Sequence, residues 1–370
     1  MIKVLVIGMT DNPGGMESCI MNYYRNIDKV QMQFDFLTYF DDMVYREEVI
    51  EKGSRIFVLP LKGKNPGKYK REVNYFFSKH ALDYDVIWYN TCSLANIDYL
   101  KLAKKYGIKR RIIHAHNSQN DSSALKGLMH QLHRCIIGKY ATDYWCCSWD
   151  AADYFFPKRI CEVKNVLMIN NAINVEKFKF DEEIRSEYRR NLQLDDKIVI
   201  GNVGRFHMQK NHSFLIDIFY ELVQKDSRYF LLLVGQGDGE TAIRNKVKKL
   251  GIEDKVSFLG ARNDVDCLLQ AMDLFLFPSL FEGLGIALVE AQAAGLVCFT
   301  SAVVVPQSVN LTGLVKYISL EQSKQGWAEQ ILKTDITLSR NEYYKNVISA
   351  GFDIQREAVK MVNLLDGKEG

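Results

Sequence analysis

Leu274-Phe275-Leu276-Phe277-Pro278-Ser279-Leu280-Phe281-Glu282-Gly283-Leu284-Gly285-Ile286-Ala287-Leu288-Val289-Glu290-Ala291-Gln292-Ala293-Ala294-Gly295 reads as a strand, a glycine loop and a helix in immediate succession. The four apolar residues Leu274 to Phe277, stopped by Pro278-Ser279, have the length of a buried strand. Gly283 and Gly285 let the backbone come close to a ligand, and a helix beginning near Gly285 turns unpaired N–H groups and a partial positive charge toward it. The spacing therefore predicts an anion site. Glu282 lies in the loop before the helix and Glu290 about five residues into it, roughly 7 to 8 Å along the axis, so the two carboxylates address different parts of one ligand. A carboxylate accepts two hydrogen bonds side by side, which suits the vicinal hydroxyls of a ribose or a hexose. A phosphate lying between two sugars satisfies all three features.

Outward from this stretch the same rhythm continues in both directions. Short β-branched or aromatic runs alternate with longer amphipathic stretches, the pattern of a doubly wound parallel sheet. The first half offers Lys3 to Ile7, Phe34 to Thr38, Arg55 to Leu59, Asp85 to Tyr89, Arg111 to Ala115, Tyr144 to Cys147 and Val166 to Ile169. The second offers Ile198 to Val203, Tyr229 to Val234, Lys255 to Leu259, Leu274 to Phe277, Val297 to Thr300 and Leu314 to Ile318. With 370 residues, two α/β domains are expected, since one core seldom grows so large. Asn170-Asn171-Ala172-Ile173-Asn174 favours turns, which places the boundary near Asn174: residues 1–174 form a first domain and 175–350 a second. Residues 351–370 read as a terminal helix from the spacing of their apolar residues.

The first strand of the second half ends in Gly201-Asn202-Val203-Gly204-Arg205-Phe206-His207-Met208-Gln209-Lys210. Loops at the carboxyl ends of strands converge on the ligand crevice of an open α/β sheet, so Arg205 and Lys210 are expected to offset a diphosphate placed beside two acids.

The net charge of +3 is too small to argue for nucleic acid, and no nucleic-acid partner is expected. Residues 1–180 nevertheless carry 26 Lys and Arg against 19 Asp and Glu, a basic half suited to an anionic membrane surface or a phosphate-bearing acceptor, or simply to solvent. The eight cysteines show no paired spacing for zinc or redox chemistry and fit a reducing cytosol. Met1 to Gly8 runs straight into a strand pattern, too short for a signal-peptide core or a membrane span. A cytoplasmic location follows, with peripheral attachment to the inner membrane face as an extension of it.

The chain resembles glycosyltransferase family 4, the retaining GT-B enzymes, and especially those that build bacterial exopolysaccharides and capsules. The resemblance spans nearly the whole chain. It rests on the spaced pair Glu282 and Glu290, on Gly204-Arg205 with Lys210, and on Gly14-Gly15-Met16-Glu17 after the first strand. Val234-Gly235-Gln236-Gly237, Phe258-Leu259-Gly260 with Arg262, Asp273 before Pro278-Ser279, and Gly351-Phe352-Asp353-Ile354 extend it. It implies two Rossmann-like domains facing each other across a cleft, acceptor on the first and donor on the second, with the terminal helix crossing back to the first.

Carried over residue by residue, the resemblance assigns Arg205 and Lys210 to the donor diphosphate, Glu290 to the ribose and Glu282 to the transferred sugar. The backbone of Gly283, Leu284, Gly285 and Ile286 completes that site, Gly260 and Arg262 lie near the base, and Gly14 and Gly15 let the first domain's loop approach. A histidine at a strand's carboxyl end contacts the donor sugar, and His116 matches it better than His114. The implied reaction moves a hexosyl or N-acetylhexosaminyl group, with retention, from a nucleotide-sugar, here a UDP-sugar, to a glycan acceptor that is lipid-linked through a polyprenyl diphosphate. The nucleotide-sugar is a co-substrate, and neither cofactor nor metal is implied. Leu296, Ala302 and Gln307 depart from the family pattern on the acceptor side. An epimerase or inverting transferase of the same fold, and a degenerate nucleotide-sugar-binding subunit, are the alternative readings.

Several patterns point elsewhere. His114 and His116 share one face of a strand, but no third ligand stands at a metal spacing, and either is equally readable as a core histidine. Asp83-Tyr84-Asp85 and Asp264-Val265-Asp266 match the D-x-D of metal-dependent transferases, yet read better as solvated charges or caps. Gly235-Gln236-Gly237-Asp238-Gly239 lacks the spacing of the third glycine in a dinucleotide fingerprint and is expected to turn toward the nucleotide. Lys62 to Arg71 reads as an exposed basic connection. The stripe Leu125, Leu128, Met129, Leu132, Ile136, Ile137, Tyr140 is expected to pack into the core rather than enter a membrane.

Overall fold

Seven strands, Ile2–Ile7 (β1), Met32–Thr38 (β2), Ile56–Val58 (β3), Val86–Thr91 (β4), Arg110–Ala115 (β5), Asp143–Cys146 (β6) and Val166–Met168 (β7), form one sheet in the order β3-β2-β1-β4-β5-β6-β7. Every pairing in it is parallel. A second sheet holds Ile198–Val203 (β8), Tyr229–Val234 (β9), Val256–Phe258 (β10), Leu274–Phe277 (β11), Val297–Ser301 (β12) and Val315–Ile318 (β13) in the order β10-β9-β8-β11-β12-β13, again all parallel. All thirteen runs marked in the sequence are strands, with ends shifted by a residue or two. These facts come from a computed structural model that describes residues 1–28, 30–118, 123–282 and 284–367.

Parallel sheets are covered by helices on both faces, so their strands are apolar throughout. In β1, Leu5 and Ile7 enter one core with Phe77, Tyr89 and Ile113, while Val4 and Val6 enter the opposite core with Tyr24, Phe36 and Trp88. The alternation is the two-residue period of a strand. Contacts divide the chain into two units, Met1–Ala172 with Ile354–Gly370, and Ile173–Asp353. Helix Ile354–Asp366 adds Ile354, Ala358, Met361 and Leu365 to the core lined by Ile20, Tyr23 and Tyr24 of helix Gly15–Asn26.

In each sheet the strand order reverses once, between β1 and β4 in the first unit and between β8 and β11 in the second. Neighbouring loops diverge at such a point and leave a crevice at the carboxyl ends of the strands.

Two expectations need correction. The basic segment from Lys62 is a turn only as far as Asn65, whose Oδ1 accepts the Lys68 N–H at 2.9 Å and caps helix Pro66–His80, with Pro66 at the first helical position. Proline costs a helix nothing there, because its missing N–H has no intrahelical partner. The second correction is larger. The stripe packs into the core only at its end, through Ile136, Ile137 and Tyr140; within helix Ala124–Ile136, Leu125, Leu128 and Leu132 are 70%, 59% and 54% exposed, while His130 and His133 are buried. Hydrogen bonds to distant backbone hold the histidines inward and turn the leucines out: His130 Nδ1 accepts the Leu94 N–H at 3.0 Å and its Nε2 donates to the Tyr154 carbonyl at 3.1 Å, and His133 Nδ1 donates to the Leu94 carbonyl at 2.6 Å.

Candidate active site

Two of the sequence-predicted groups of the second unit, Lys210 and Glu282, meet where the loops after β8 and β11 come together. After β8 the chain turns through Gly204 and Arg205 to a short 3-10 turn, Met208–Lys210, and Asn211 adopts a left-handed conformation before the next helix. Two contacts tie this loop to the one after β11: the Leu280 N–H donates to the Gln209 carbonyl at 2.8 Å, and Gln209 Nε2 donates to the Phe281 carbonyl at 3.0 Å. Lys210 is thereby placed opposite Glu282, and its Nζ lies 2.6 Å from Glu282 Oε1. Both side chains are largely buried, at 17% and 5% exposure. Lys210 also lies over the Phe277 ring, 4.5 Å from its centroid, and its stem runs along Gly204, where a Cβ would sit 3.2 to 3.3 Å from it. The glycine before Arg205 thus makes room for Lys210.

Gly285 is the residue before helix Ile286–Ala293 and has φ +70°. That left-handed conformation is open to glycine at little cost and lets the chain enter the helix directly from the loop. The first turn of the helix then presents N–H groups beside Glu282, while Leu284 packs against the core behind. Gly283 lies outside the described residues. Arg205 is exposed, and its guanidinium has no hydrogen-bond or ion-pair partner among the described residues.

Glu290 lies on the fifth residue of this helix and is partly buried. Burial, reinforced by the nearby Asp266 carboxylate, pushes its carboxyl up to about 8. The sequence reading treats Glu290 as a charged acceptor of two hydrogen bonds. In the ligand-free protein at neutral pH it is mostly protonated, because desolvation penalises the charged form. Asp266 belongs to the second D-x-D pattern. Its partner Asp264 accepts from Arg262 Nε at 2.8 Å and Nη2 at 2.6 Å and from the Tyr188 hydroxyl at 2.9 Å, so Arg262 is held in a bidentate pair. Gly260 has φ +67°, and its carbonyl accepts the Gly235 N–H at 2.8 Å.

Gly235 and Gly237 lie against protein rather than open space. A Cβ on Gly237 would meet the Phe206 carbonyl oxygen at 2.6 Å, and one on Gly235 would overlap Gly204 O. These glycines dock the loop after β9 onto the Arg205 loop, a role the sequence reading did not foresee. Asp273 is likewise an anchor: it accepts from Arg185, from Arg189 and from the Val199 N–H at 2.7 Å.

In the first unit, Gly14 and Gly15 stand where helix Gly15–Asn26 begins. A Cβ on Gly14 would meet Glu17 Oε2 at 2.7 Å, whereas Gly15 faces open space. Glu17 is buried and accepts the Thr10 hydroxyl at 2.8 Å. A buried acid at the first turn of a helix is the one polar group here that the sequence reading quoted without assigning. His116 follows β5, and its Nε2 lies 2.9 Å from Oδ1 of the buried Asn90. Burial holds the His116 ring down at about 3, so it is neutral at physiological pH. His114 is the core histidine of the pair: fully buried and stacked on Trp88, it too is held neutral by burial. Among the described residues, no three His, Cys, Asp or Glu side chains gather to hold a metal ion, and no helix is long and apolar enough to cross a membrane.

Comparison with known proteins gives the family and the fold. The family model described as glycosyl transferases group 1 matches residues 184–351. EpsF of Bacillus subtilis, which carries the name of a glycosyltransferase, is 31% identical over 372 residues, covering 98% of this chain and 96% of its own. The UDP-Gal:alpha-D-GlcNAc-diphosphoundecaprenol alpha-1,3-galactosyltransferase of Escherichia coli is 30% identical over 142 residues, 37% of this chain and 36% of that one. Among solved structures, Anabaena HepE in complex with UDP and glucose superposes with a TM-score of 0.76 at 19% identity, over 99% of this chain and 100% of that one. At that identity the likeness speaks for the fold, which is GT-B.

Proposed function

The chain belongs to the group 1 glycosyltransferases, and from that premise we propose that it is a metal-independent, retaining enzyme that moves a sugar from a UDP-sugar to a lipid-linked glycan in polysaccharide biosynthesis. The observation that carries the donor site is the Lys210–Glu282 pair at the start of a helix entered through Gly285. As the glycosidic bond breaks, negative charge grows on the departing diphosphate. Lys210, the unpartnered Arg205 and the helix terminus offer that charge three positive partners, the task a metal performs elsewhere. Glu282, freed from Lys210 when phosphate takes the ammonium, turns its carboxylate to the hydroxyls of the transferred sugar. Glu290 meets the ribose. His116, neutral and oriented by Asn90, acts as a hydrogen-bond partner of the sugar and not as a proton donor.

The UDP donor is supported by the nucleotide in the HepE structure, and the lipid-linked acceptor by the name of the galactosyltransferase relative. A thermal-shift screen of the protein with UDP-, GDP- and ADP-sugars tests the donor. A ligand present at about a hundred times its Kd raises stability by about 2.7 kcal/mol, and the UDP-sugar is expected to give the largest shift. Product NMR then reads the anomer. No shift with any donor, or a product of inverted configuration, refutes the proposal.

A further inference from the structure

Trp149 is the exposed member of the four tryptophans. Trp88, Trp145 and Trp327 are fully buried, whereas Trp149 is 58% exposed. It opens helix Trp149–Phe155, whose Ser148 cap accepts the Ala151 N–H at 3.2 Å, and Ala151, Ala152 and Phe155 fill the inner face of that helix. The indole is thereby left outside. Ile160 anchors the following helix, Lys158–Val163, in the same core, leaving Cys161, Glu162 and Val163 outward, Val163 to 77% exposure. Between the indole and the segment from Cys161 to Val166 lies a cavity of about 410 Å³, within the roughly 300 to 1,000 Å³ of small-ligand sites.

The lining joins an aromatic face to polar groups that the fold does not use. The Glu162 carboxylate and the Asn165 amide have no hydrogen-bond or ion-pair partner among the described residues. Residues 149–166 carry Asp150, Asp153 and Glu162 against Lys158, Arg159 and Lys164, three of each sign and all exposed. A balanced rim gives an anion no net attraction, which argues against a nucleotide or a phosphate-bearing headgroup and for a neutral ligand. A pyranose is such a ligand: it offers a face of C–H groups to an indole and hydroxyls at its edge to an amide and a carboxylate. Trp149 stands two residues beyond Cys147, whose N–H donates to the Ala115 carbonyl at 3.1 Å, and Ala115 directly precedes His116. The cavity therefore lies toward the strand ends that carry His116, but at the margin of the sheet, beside the edge strand β7, with β6 three places from the β1 that leads to Gly14.

We propose that this cavity is a second carbohydrate site, which holds an uncharged pyranose unit of a glycan acceptor away from its reacting end: Trp149 stacks on the C–H face of the ring, and Glu162 and Asn165 take its hydroxyls. A glycan long enough to reach the cavity is held at two places on one enzyme, so affinity rises with its length. The inference rests on transfer to a glycan in polysaccharide biosynthesis, and not on the UDP donor, the anomer or a lipid anchor.

Fluorescence tests it directly, because the other three indoles are shielded from solvent. Titration of the full chain with cellotetraose, maltotetraose and chitotetraose, in the absence of nucleotide, should change the Trp149 emission and lower its quenching by acrylamide with at least one of these sugars. Saturation-transfer NMR of the same sugars reads the variants that lack the indole. Trp149→Ala should weaken binding roughly tenfold, Trp149→Phe should restore part of the loss, and Glu162→Ala with Asn165→Ala should also weaken binding roughly tenfold. These side chains face solvent, so the thermal midpoint should stay at the parent level. No response to any of the three sugars, undiminished binding by Trp149→Ala, loss of the Trp149 response in inorganic phosphate, or a parent dimer that Trp149→Ala splits would overturn the proposal, the last because a second copy would then cover the indole. Sugar binding that Trp149→Ala abolishes, in a chain that turns over no nucleotide-sugar, would support the site and count against the donor reading instead.

Discussion

Glu290 offers a test of the site that needs no substrate. Its carboxyl titrates near 8 against an ordinary value of 4.5, so the folded chain holds a proton that the unfolded chain has released. The stability this proton confers is complete below about pH 4.5 and is lost as pH rises through 8. The histidines act in the opposite sense: His116, held at about 3, His212, held at about 4 by burial and by Lys210, and His114, His130 and His133, held down by burial, bind protons mainly when unfolded. An unfolded imidazole is still about half protonated at pH 6.5, so these five offset Glu290 between pH 6.5 and 8, and its effect is read from the difference between the parent and Glu290→Gln. Integrating one group with pKa values of 4.5 and 8 over that window gives about 1.6 kcal/mol, which solvent screening of a partly exposed carboxyl reduces to about 1 kcal/mol. Urea unfolding at pH 6.5, 7.2 and 8.0 should show the stability of the parent relative to Glu290→Gln falling by this amount, since the histidines are common to both proteins and an amide carries no proton to release. The same pH dependence in both proteins would show that Glu290 is not held protonated by its surroundings, and the account of its desolvation would be wrong.

Other expectations follow from the same loops. Lys210→Met and Glu282→Gln each break a buried pair and should cost about 3 kcal/mol, while the double variant recovers at least half of that; strictly additive losses in a double-mutant cycle would mean that the two side chains do not interact. Arg205→Ala should lower kcat about a hundredfold with no change in thermal midpoint, because the guanidinium touches nothing it would destabilise by leaving; steady-state kinetics beside calorimetry separates the two effects. Gly237→Ala must force a methyl group against the Phe206 carbonyl at 2.6 Å and should cost on the order of 2 kcal/mol, with donor affinity falling as the Arg205 loop shifts; a variant as stable as the parent would refute the loop contact.

Much of this protein is legible locally. The β-branched and aromatic runs that alternate with amphipathic stretches mark all thirteen strands, because the pattern of a single strand depends on near neighbours, although Val303-Val304-Val305 before Pro306 forms none. The strand–glycine–helix around Glu282 is equally local: Gly285 takes a conformation other residues resist, and the helix begins there. The resemblance that names the family rests on the same short spacings.

What local pattern cannot give is what a side chain meets after folding. That Lys210 pairs with Glu282 across 72 positions depends on Gln209 stitching two loops together. Gly237 looks like part of a ligand loop, but the space its missing Cβ would fill is taken by Phe206. Glu282 and Glu290 are the same acid eight residues apart; the first faces an ammonium, and the second is desolvated near another carboxylate, a difference written only in their surroundings. Helix Ala124–Ile136 is the clearest instance. Its period fixed the position of the leucine stripe, but periodicity carries no sign, and the hydrogen bonds of His130 and His133 to distant backbone decided which face met the core. The sequence alone determines elements and their order because those are settled by neighbours along the chain, whereas charge state, pairing and facing are settled by neighbours in space, which only the tertiary structure brings together.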